Sequence, residues 1–113
     1  MKELLENAKE FLESAEDNLS KKRFNASVSD FFKAITNFCD YLIYEDTKIV
    51  VKNHNERFDI LKKYYPNIYE KVFKVFKKYR ESYNLRLKSE DAAILKDHAY
   101  EIRRIIEDKK KAG

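Results

Sequence analysis

The sequence predicts an all-α fold, an up-and-down bundle of about five helices. The 113 residues include one Gly and one Pro, so the chain has little of the turn chemistry that sheets need. Charged residues make up 39% and hydrophobic residues 43%, the mixture that amphipathic helices require. Apolar residues also recur at spacings of three and four. A chain of this length forms one domain, so we expect a single bundle over residues 1–113, with a basic tail from about residue 107.

The first two helices differ in the width of their apolar stripes. Residues 2–20 carry one narrow stripe, and residues 20–23 break the pattern. A second helix over about Asn25 to Tyr44 has a wide stripe, which places it at the bundle centre. Its apolar positions are Val28, Phe31, Phe32, Ile35, Phe38, Cys39, Leu42 and Ile43.

A connection, not a strand, is predicted between the second and third helices. Residues 46–52 are rich in β-branched side chains, but one short strand without a partner cannot form a sheet. A third helix follows over about Asn53 to Tyr64. Pro66 ends it and suits the start of a fourth helix, about Asn67 to Leu87.

The fifth helix is predicted to begin at Ser89, whose hydroxyl would cap the first-turn amides. Glu90 and Asp91 would complement the helix dipole there. The apolar pattern continues to Ile106, and a frayed basic tail follows. Connections as short as these favour antiparallel neighbours.

Several classes of protein are excluded or disfavoured by composition. The longest apolar runs are only four residues, as at residues 92–95, so no segment crosses a bilayer or resembles a signal peptide, and we expect a cytoplasmic protein with no membrane partner. Cys39 is the only cysteine, which excludes an internal disulfide and a cysteine-based zinc site in one chain. We expect no metal, no cofactor and no catalytic triad, because the chain lacks a Gly-rich phosphate loop, a nucleophile elbow and His ligand spacing.

Charge is distributed unevenly along the chain. Residues 1–20 carry a net charge of −4, whereas residues 67–88 carry +5. Lys71, Lys74 and Lys78 share one side of the fourth helix, a basic patch suited to phosphates or to an acidic partner. The alternative interpretation is a solvated helix face. The acidic first helix is a further candidate for self-association.

Arg80 is unlike these lysines, because the helical wheel puts it between Tyr69 and Phe73, on the flank of the apolar arc. A guanidinium there needs a carboxylate, a backbone carbonyl, an aromatic face or a bound anion. Two interpretations follow: an internal ion pair or stacking arrangement, and a contact with a ligand or RNA phosphate.

The histidines and the aromatic residues can also be interpreted either as core residues or as parts of a functional site. His54 is in line with an apolar helix side and His98 lies within another, so both are expected to be partly buried core residues, each with one hydrogen bond. Most of the eight Tyr and eight Phe residues are expected in the core. Exposed rings around Tyr64, Tyr65 and Tyr69 would be able to stack on bases.

The order of these features resembles HEPN, the higher eukaryotes and prokaryotes nucleotide-binding domain family, over roughly residues 5–106. The resemblance rests on an amphipathic first helix followed by four segments: SVSDFFKAITNFCDYLIY, KNHNERFDILKKYYP, YRESY and SEDAAILKDHAYEIRRII. Positions that recur in the family are occupied by His54, Arg80 and Tyr83, with Ala92, Ala93 and Ala99 in the last helix.

The resemblance implies a helical bundle of a family whose members often form homodimers and are frequently found with a minimal nucleotidyltransferase partner in toxin–antitoxin pairs. Some members are metal-independent ribonucleases that use an Arg and a His separated by four to six residues. At that distance after Arg80 this chain has Leu85, Arg86 and Leu87, so the ribonuclease motif is absent.

Three functions therefore stay open. The first is a HEPN-like domain that binds a nucleotide, RNA or a nucleotidyltransferase partner through Arg80, Tyr83 and His54, with little or no catalysis. The second is a helical dimerisation or interaction module without a ligand, in which Arg80 is an internal pairing residue. The third is a metal-independent ribonuclease in which Arg80 and His54 meet only in the folded chain.

Overall fold

A computed structural model describes residues 1–112 and confirms the all-α bundle. Its five helices are α1 (Lys2–Ser20), α2 (Phe24–Thr47), α3 (His54–Tyr64), α4 (Pro66–Glu81) and α5 (Ser89–Ala112), and residues 1–112 contain no strand. The helix α2 contacts all four others and is the central helix, as its wide apolar stripe predicts. By contrast, no Cα atom of α1 lies within 8 Å of a Cα atom of α4.

The core forms where the stripe of α2 meets α1 and α5. Phe31, Ile35 and Phe38 of α2 are almost completely buried, and each such side chain contributes about 1.5–3 kcal/mol relative to exposure. The facing side of α1 uses small residues, which allow the two helices to approach closely. The hydroxyl of Ser27 donates to the carbonyl of Ala15 at 2.9 Å across this contact.

The helix α3 ends before Pro66, as predicted, and α4 begins there. The side chain of Asn53 caps α3 by accepting a hydrogen bond from the Glu56 amide at 2.8 Å. Tyr65, the residue before proline, leaves the helical region with φ −137° and ψ 62°. Pro66 is then the first residue of α4. These two helices form one layer beside α2.

The predicted end of α4 at Leu87 is wrong, because the helix ends at Glu81. A tertiary contact competes with the helix: the Asn25 side-chain amide donates to the carbonyls of Ser82 at 2.9 Å and Leu85 at 2.6 Å. The Leu87 amide donates to the Asn25 side-chain oxygen at 3.0 Å. The 82–88 segment is therefore held against the start of α2.

The helix α5 begins at Ser89, as predicted, but the predicted cap and the predicted frayed tail are wrong. Ser89 lies inside the first turn and does not cap it; the Asp91 carboxylate instead accepts from the Lys88 amide at 2.8 Å. The basic tail is not frayed, since α5 stays helical through Ala112. Lys109 and Lys110 each place an ammonium 5.5 Å from a tyrosine ring, which anchors the last turns.

Candidate functional site

An aromatic strip runs along the flank of α4 that faces α3. Its rings, Tyr69, Phe73, Phe76, Tyr79 and Tyr83, recur at spacings of three and four and therefore share one side of the helix or its continuing turn. Phe73 is 59% exposed and Tyr83 72% exposed, whereas Tyr79 is buried. The strip therefore presents aromatic faces to solvent at both ends while its middle packs into the bundle.

The strip is held in place by aromatic packing. The rings of Tyr69 and Phe73 are stacked with centroids 5.7 Å apart, and Phe58 of α3 meets Phe76 edge-on at 5.0 Å. The sequence drew attention to the neighbouring Tyr64 and Tyr65. Tyr64 is exposed, but Tyr65 is half-buried and donates its hydroxyl to Asp46.

Arg80 is exposed, and its guanidinium carbon lies 5.8 Å from the centroid of Phe76. Of the partners that the sequence allowed, the structure supplies the aromatic face. Arg80 makes no ion pair with any carboxylate in residues 1–112. Its hydrogen-bonding edge is therefore available to an anion.

His54 and Tyr83 lie around the same part of the strip. The half-buried His54 ring is 5.2 Å from Phe76, so His54 and Arg80 contact the same aromatic ring. Tyr83 shares a 2.5 Å hydroxyl–hydroxyl hydrogen bond with Tyr79, whose ring is 6.1 Å from that of His54. The three predicted site residues thus surround the Phe76–Tyr79 pair.

A buried charge pair next to His54 was not predicted. Arg57 is 8% exposed and binds Asp40 through two hydrogen bonds, Nε to Oδ1 at 2.7 Å and Nη2 to Oδ2 at 2.8 Å. Its Nη1 lies 2.7 Å from Nδ1 of His54. The sequence does contain two indications of this pair. Arg57 follows His54 by three residues, so the two share a helix side, and Asp40 interrupts the apolar stripe of α2.

This geometry determines the tautomer of His54. A guanidinium has no acceptor, so Nδ1 must accept and the ring proton must be on Nε2. Burial and then the charge of Arg57 lower the pKa of His54 below its usual value, while Asp40 raises it. His54 is therefore a neutral ring that offers an Nε2–H donor, and its one lone pair is already engaged.

The predicted basic patch is largely engaged in ion pairs with α5. Lys71 pairs with Glu101 at 2.7 Å, and Lys78 pairs with Asp91 at 2.9 Å. The hydrogen bond from Lys78 lowers the pKa of Asp91 and raises that of Lys78. Lys74 is exposed and makes no ion pair in residues 1–112. Most of this patch therefore joins α4 to α5.

Two remaining side chains match core roles. His98 is half-buried, and its Nδ1 is 2.9 Å from the carbonyl oxygen of Ile94, consistent with the expected single hydrogen bond. Cys39 is fully buried beside Asp40, and burial followed by the Asp40 charge raises the pKa of its thiol to about 12.

Two kinds of feature do not occur in residues 1–112. No helix there has both the length and the apolar character needed to cross a bilayer. No group of three or more His, Cys, Asp or Glu side chains lies together as metal ligands would. The cytoplasmic location and the lack of a cofactor stay predictions.

Comparisons with protein-family models, with curated proteins and with solved structures return no match for this chain. The HEPN resemblance stays a prediction. The geometry of the aromatic strip, Arg80 and the Asp40–Arg57–His54 cluster is the basis for a function.

Proposed function

We propose that this protein is a HEPN-like domain that binds single-stranded RNA or a nucleotide through the aromatic strip, with little or no catalysis. The observation that carries the proposal is the position of Arg80. It is an exposed cation with no carboxylate partner in residues 1–112, and it lies against Phe76. In the sequence it falls between Phe73 and Tyr83, whose rings are exposed.

The chemistry of the site fits a base and a phosphate. Stacking of a base on an exposed aromatic ring contributes about 1–3 kcal/mol, and every base has a face that can stack. Arg80 supplies a planar fork of donors that matches the geometry of a phosphate. The Nε2–H of His54 is a further donor for a phosphate or base oxygen.

Little or no catalysis is part of the proposal because of the His54 tautomer. Transesterification of RNA needs a group that takes the proton from the 2′-hydroxyl. The Nδ1 lone pair of His54 accepts from Arg57, and Nε2 already carries a proton. A ribonuclease that uses His54 as its base is therefore the less favoured alternative.

The second candidate function is an interaction module, and the exposure of Phe73 favours it. Aromatic rings are enriched at protein interfaces, and the Phe73 ring is 59% exposed and already stacked on Tyr69. A homodimer, or a minimal nucleotidyltransferase partner as in a toxin–antitoxin pair, would cover the strip in this case.

Replacing Arg80 tests the leading proposal. We expect Arg80→Ala to lower the affinity for a fluorescent uridine oligonucleotide of about ten nucleotides, a length typical of single-strand sites, by tenfold or more in an anisotropy titration. The helical circular dichroism signal should not change, because Arg80 is exposed. Arg104→Ala is the matched control, since Arg104 is also an exposed arginine.

Equal affinity of the Arg80→Ala variant and the native chain would contradict the site. If Phe73→Ser converts a dimer into a monomer in sedimentation experiments while no RNA binds, the interaction module is favoured instead. Cleavage of the oligonucleotide in EDTA that disappears in His54→Ala would support the ribonuclease alternative and contradict the proposed absence of catalysis.

A further inference from the structure

A cationic pocket lies at the end of the bundle where α2 begins. Its volume is about 530 Å³, and its cations are Lys22, Arg23 and Arg86, with Phe24 and Leu87 on its apolar side. The pocket combines an aromatic ring with positive charge, as the strip does at Phe76 and Arg80. It lies outside the proposed site, and two segments far apart in the sequence form it.

The three cations of this pocket have no internal partner. Lys22, Arg23 and Arg86 are all exposed, and none forms an ion pair with a carboxylate in residues 1–112. No acidic residue lines the pocket. Three like charges in one concave surface repel one another and raise the local concentration of anions. The ligand that this favours is a polyanion.

The pocket is held in shape by hydrogen bonds within the chain. Asn25 binds the backbone of the 82–88 segment through the carbonyls of Ser82 and Leu85 and the amide of Leu87. The Arg23 amide donates to the carbonyl of Asn18 at 2.8 Å, which closes the turn between α1 and α2. These contacts bring Arg23 and Arg86 to one surface before any ligand binds.

The pocket and the aromatic strip meet at the 82–88 segment. Tyr83 belongs to the strip and Arg86 to the pocket, and three residues of backbone span at most about 10 Å. Asn84, between them, lines a smaller pocket together with Lys77, Arg80 and the carboxylate-bearing Glu81. A strand of nucleotides crossing this segment would meet cations on both sides of it.

We propose that the ligand is a single-stranded RNA oligonucleotide that stacks its bases on the strip and continues across the 82–88 segment, where Lys22, Arg23 and Arg86 bind its phosphates. This rests on the proposed function, and it names a strand instead of a mononucleotide as the substrate class. Each phosphate contact adds to the salt dependence of binding, with a slope of about 0.7 per charge for single strands.

The test compares ligand length and salt dependence in two double variants. The first is Arg23→Ala with Arg86→Ala in the pocket; the control is Arg104→Ala with Lys111→Ala, which removes the same charge from exposed positions of α5. Uridine monophosphate and a uridine oligonucleotide of about ten nucleotides are the probes. Affinity is measured at several salt concentrations.

We expect the pocket variant to lose tenfold or more in affinity for the oligonucleotide and to reduce the salt slope by about 1.4, that is, about 0.7 for each cation. Its affinity for uridine monophosphate should equal that of the native chain. Equal oligonucleotide affinity and slope in the pocket and control variants would overturn the inference. If Arg80→Ala still weakens binding in that case, the proposed function survives and only the path through the pocket fails.

Discussion

A buried arginine in so small a bundle requires a compensating charge, and Asp40 supplies it. Removing charges from water costs several kcal/mol per ion, and only bidentate geometry with further hydrogen bonds offsets that loss. Arg57 meets these conditions, because it uses Nε and Nη2 on Asp40 and Nη1 on His54. The cluster therefore fixes the position of His54 beside the aromatic strip.

Truncating Arg57 should be strongly destabilising. Arg57→Ala leaves the Asp40 carboxylate, whose side chain is 13% exposed, without its partner, and we expect the free energy of unfolding to fall by about 3–5 kcal/mol. Urea denaturation measures this free energy of unfolding. The double variant Asp40→Leu with Arg57→Met removes both charges and should recover most of the loss. A double variant as unstable as Arg57→Ala would contradict this account.

The titration of His54 should follow from its surroundings. Burial, then Arg57, lowers its pKa below 6.5, so the folded state binds fewer protons than the unfolded state just below that pH. This contribution to stability is complete above pH 6.5 and is lost as the pH falls from there. Nitrogen NMR of His98→Gln, which leaves one histidine, should show an Nε2-protonated ring with a midpoint under 6.5.

The same measurement in Asp40→Asn should show a still lower midpoint, because Asp40 is the group that raises the pKa of His54. A ring protonated on Nδ1, or a midpoint at or above 6.5 in His98→Gln, would show that Arg57 does not hold the ring as described.

At the scale of elements, local patterns predicted the helices and tertiary contacts set some of their ends. Apolar spacing located all five helices, and Pro66 marked the break between α3 and α4. The end of α4 was predicted too late because Asn25, from a distant part of the chain, binds the backbone of Ser82 and Leu85. No local pattern reports such a contact.

In the candidate site, too, the sequence predicted individual residues but not the tertiary contacts between them. The sequence singled out His54, Arg80 and Tyr83, and the packing of Phe76 and Tyr79 brings them to one region. It did not predict the partner of His54, since the ion pair spans two helices and has a meaning only in the folded chain. It also did not predict that Lys71 and Lys78 would pair with acids of α5.

The position of the 82–88 segment should depend on the hydrogen bonds of Asn25. Asn25→Ala leaves two carbonyls and one amide without their partner, and we expect a loss of about 1–3 kcal/mol in stability. Hydrogen exchange at the Leu87 amide should accelerate more than exchange within α2. Asn25→Asp retains the acceptor for that amide, so its exchange should stay slower than in Asn25→Ala. Similar exchange in all three proteins would contradict the role of Asn25.

At the scale of the whole molecule, opposite charges are on separate surfaces. Residues 1–20 carry −4 and residues 67–88 carry +5, of which Lys71 and Lys78 pair with acids of α5. No Cα atom of α1 lies within 8 Å of a Cα atom of α4. Charges so arranged attract a second copy over the Debye length, about 30 Å at 0.01 M salt and about 8 Å at 0.15 M. Attraction between α1 of one copy and the 67–88 segment of another would therefore stabilise the predicted homodimer.

We therefore expect sedimentation to show self-association at low salt that weakens as salt is added. Glu10→Lys with Glu13→Lys, both exposed on α1, should abolish it. Glu90→Lys with Asp97→Lys changes exposed acids of α5 by the same charge and should have a smaller effect. Association that does not respond to salt or to either variant would indicate an apolar interface.

The single thiol of this chain can report how often the bundle opens. Cys39 is fully buried on the helix that touches all the others, and burial raises the pKa of its thiol to about 12, so the covered thiol has almost no thiolate. A disulfide reagent would then label the chain only when α2 separates from its neighbours. Labelling kinetics in native buffer would follow the opening of the whole domain, with no cysteine to be introduced.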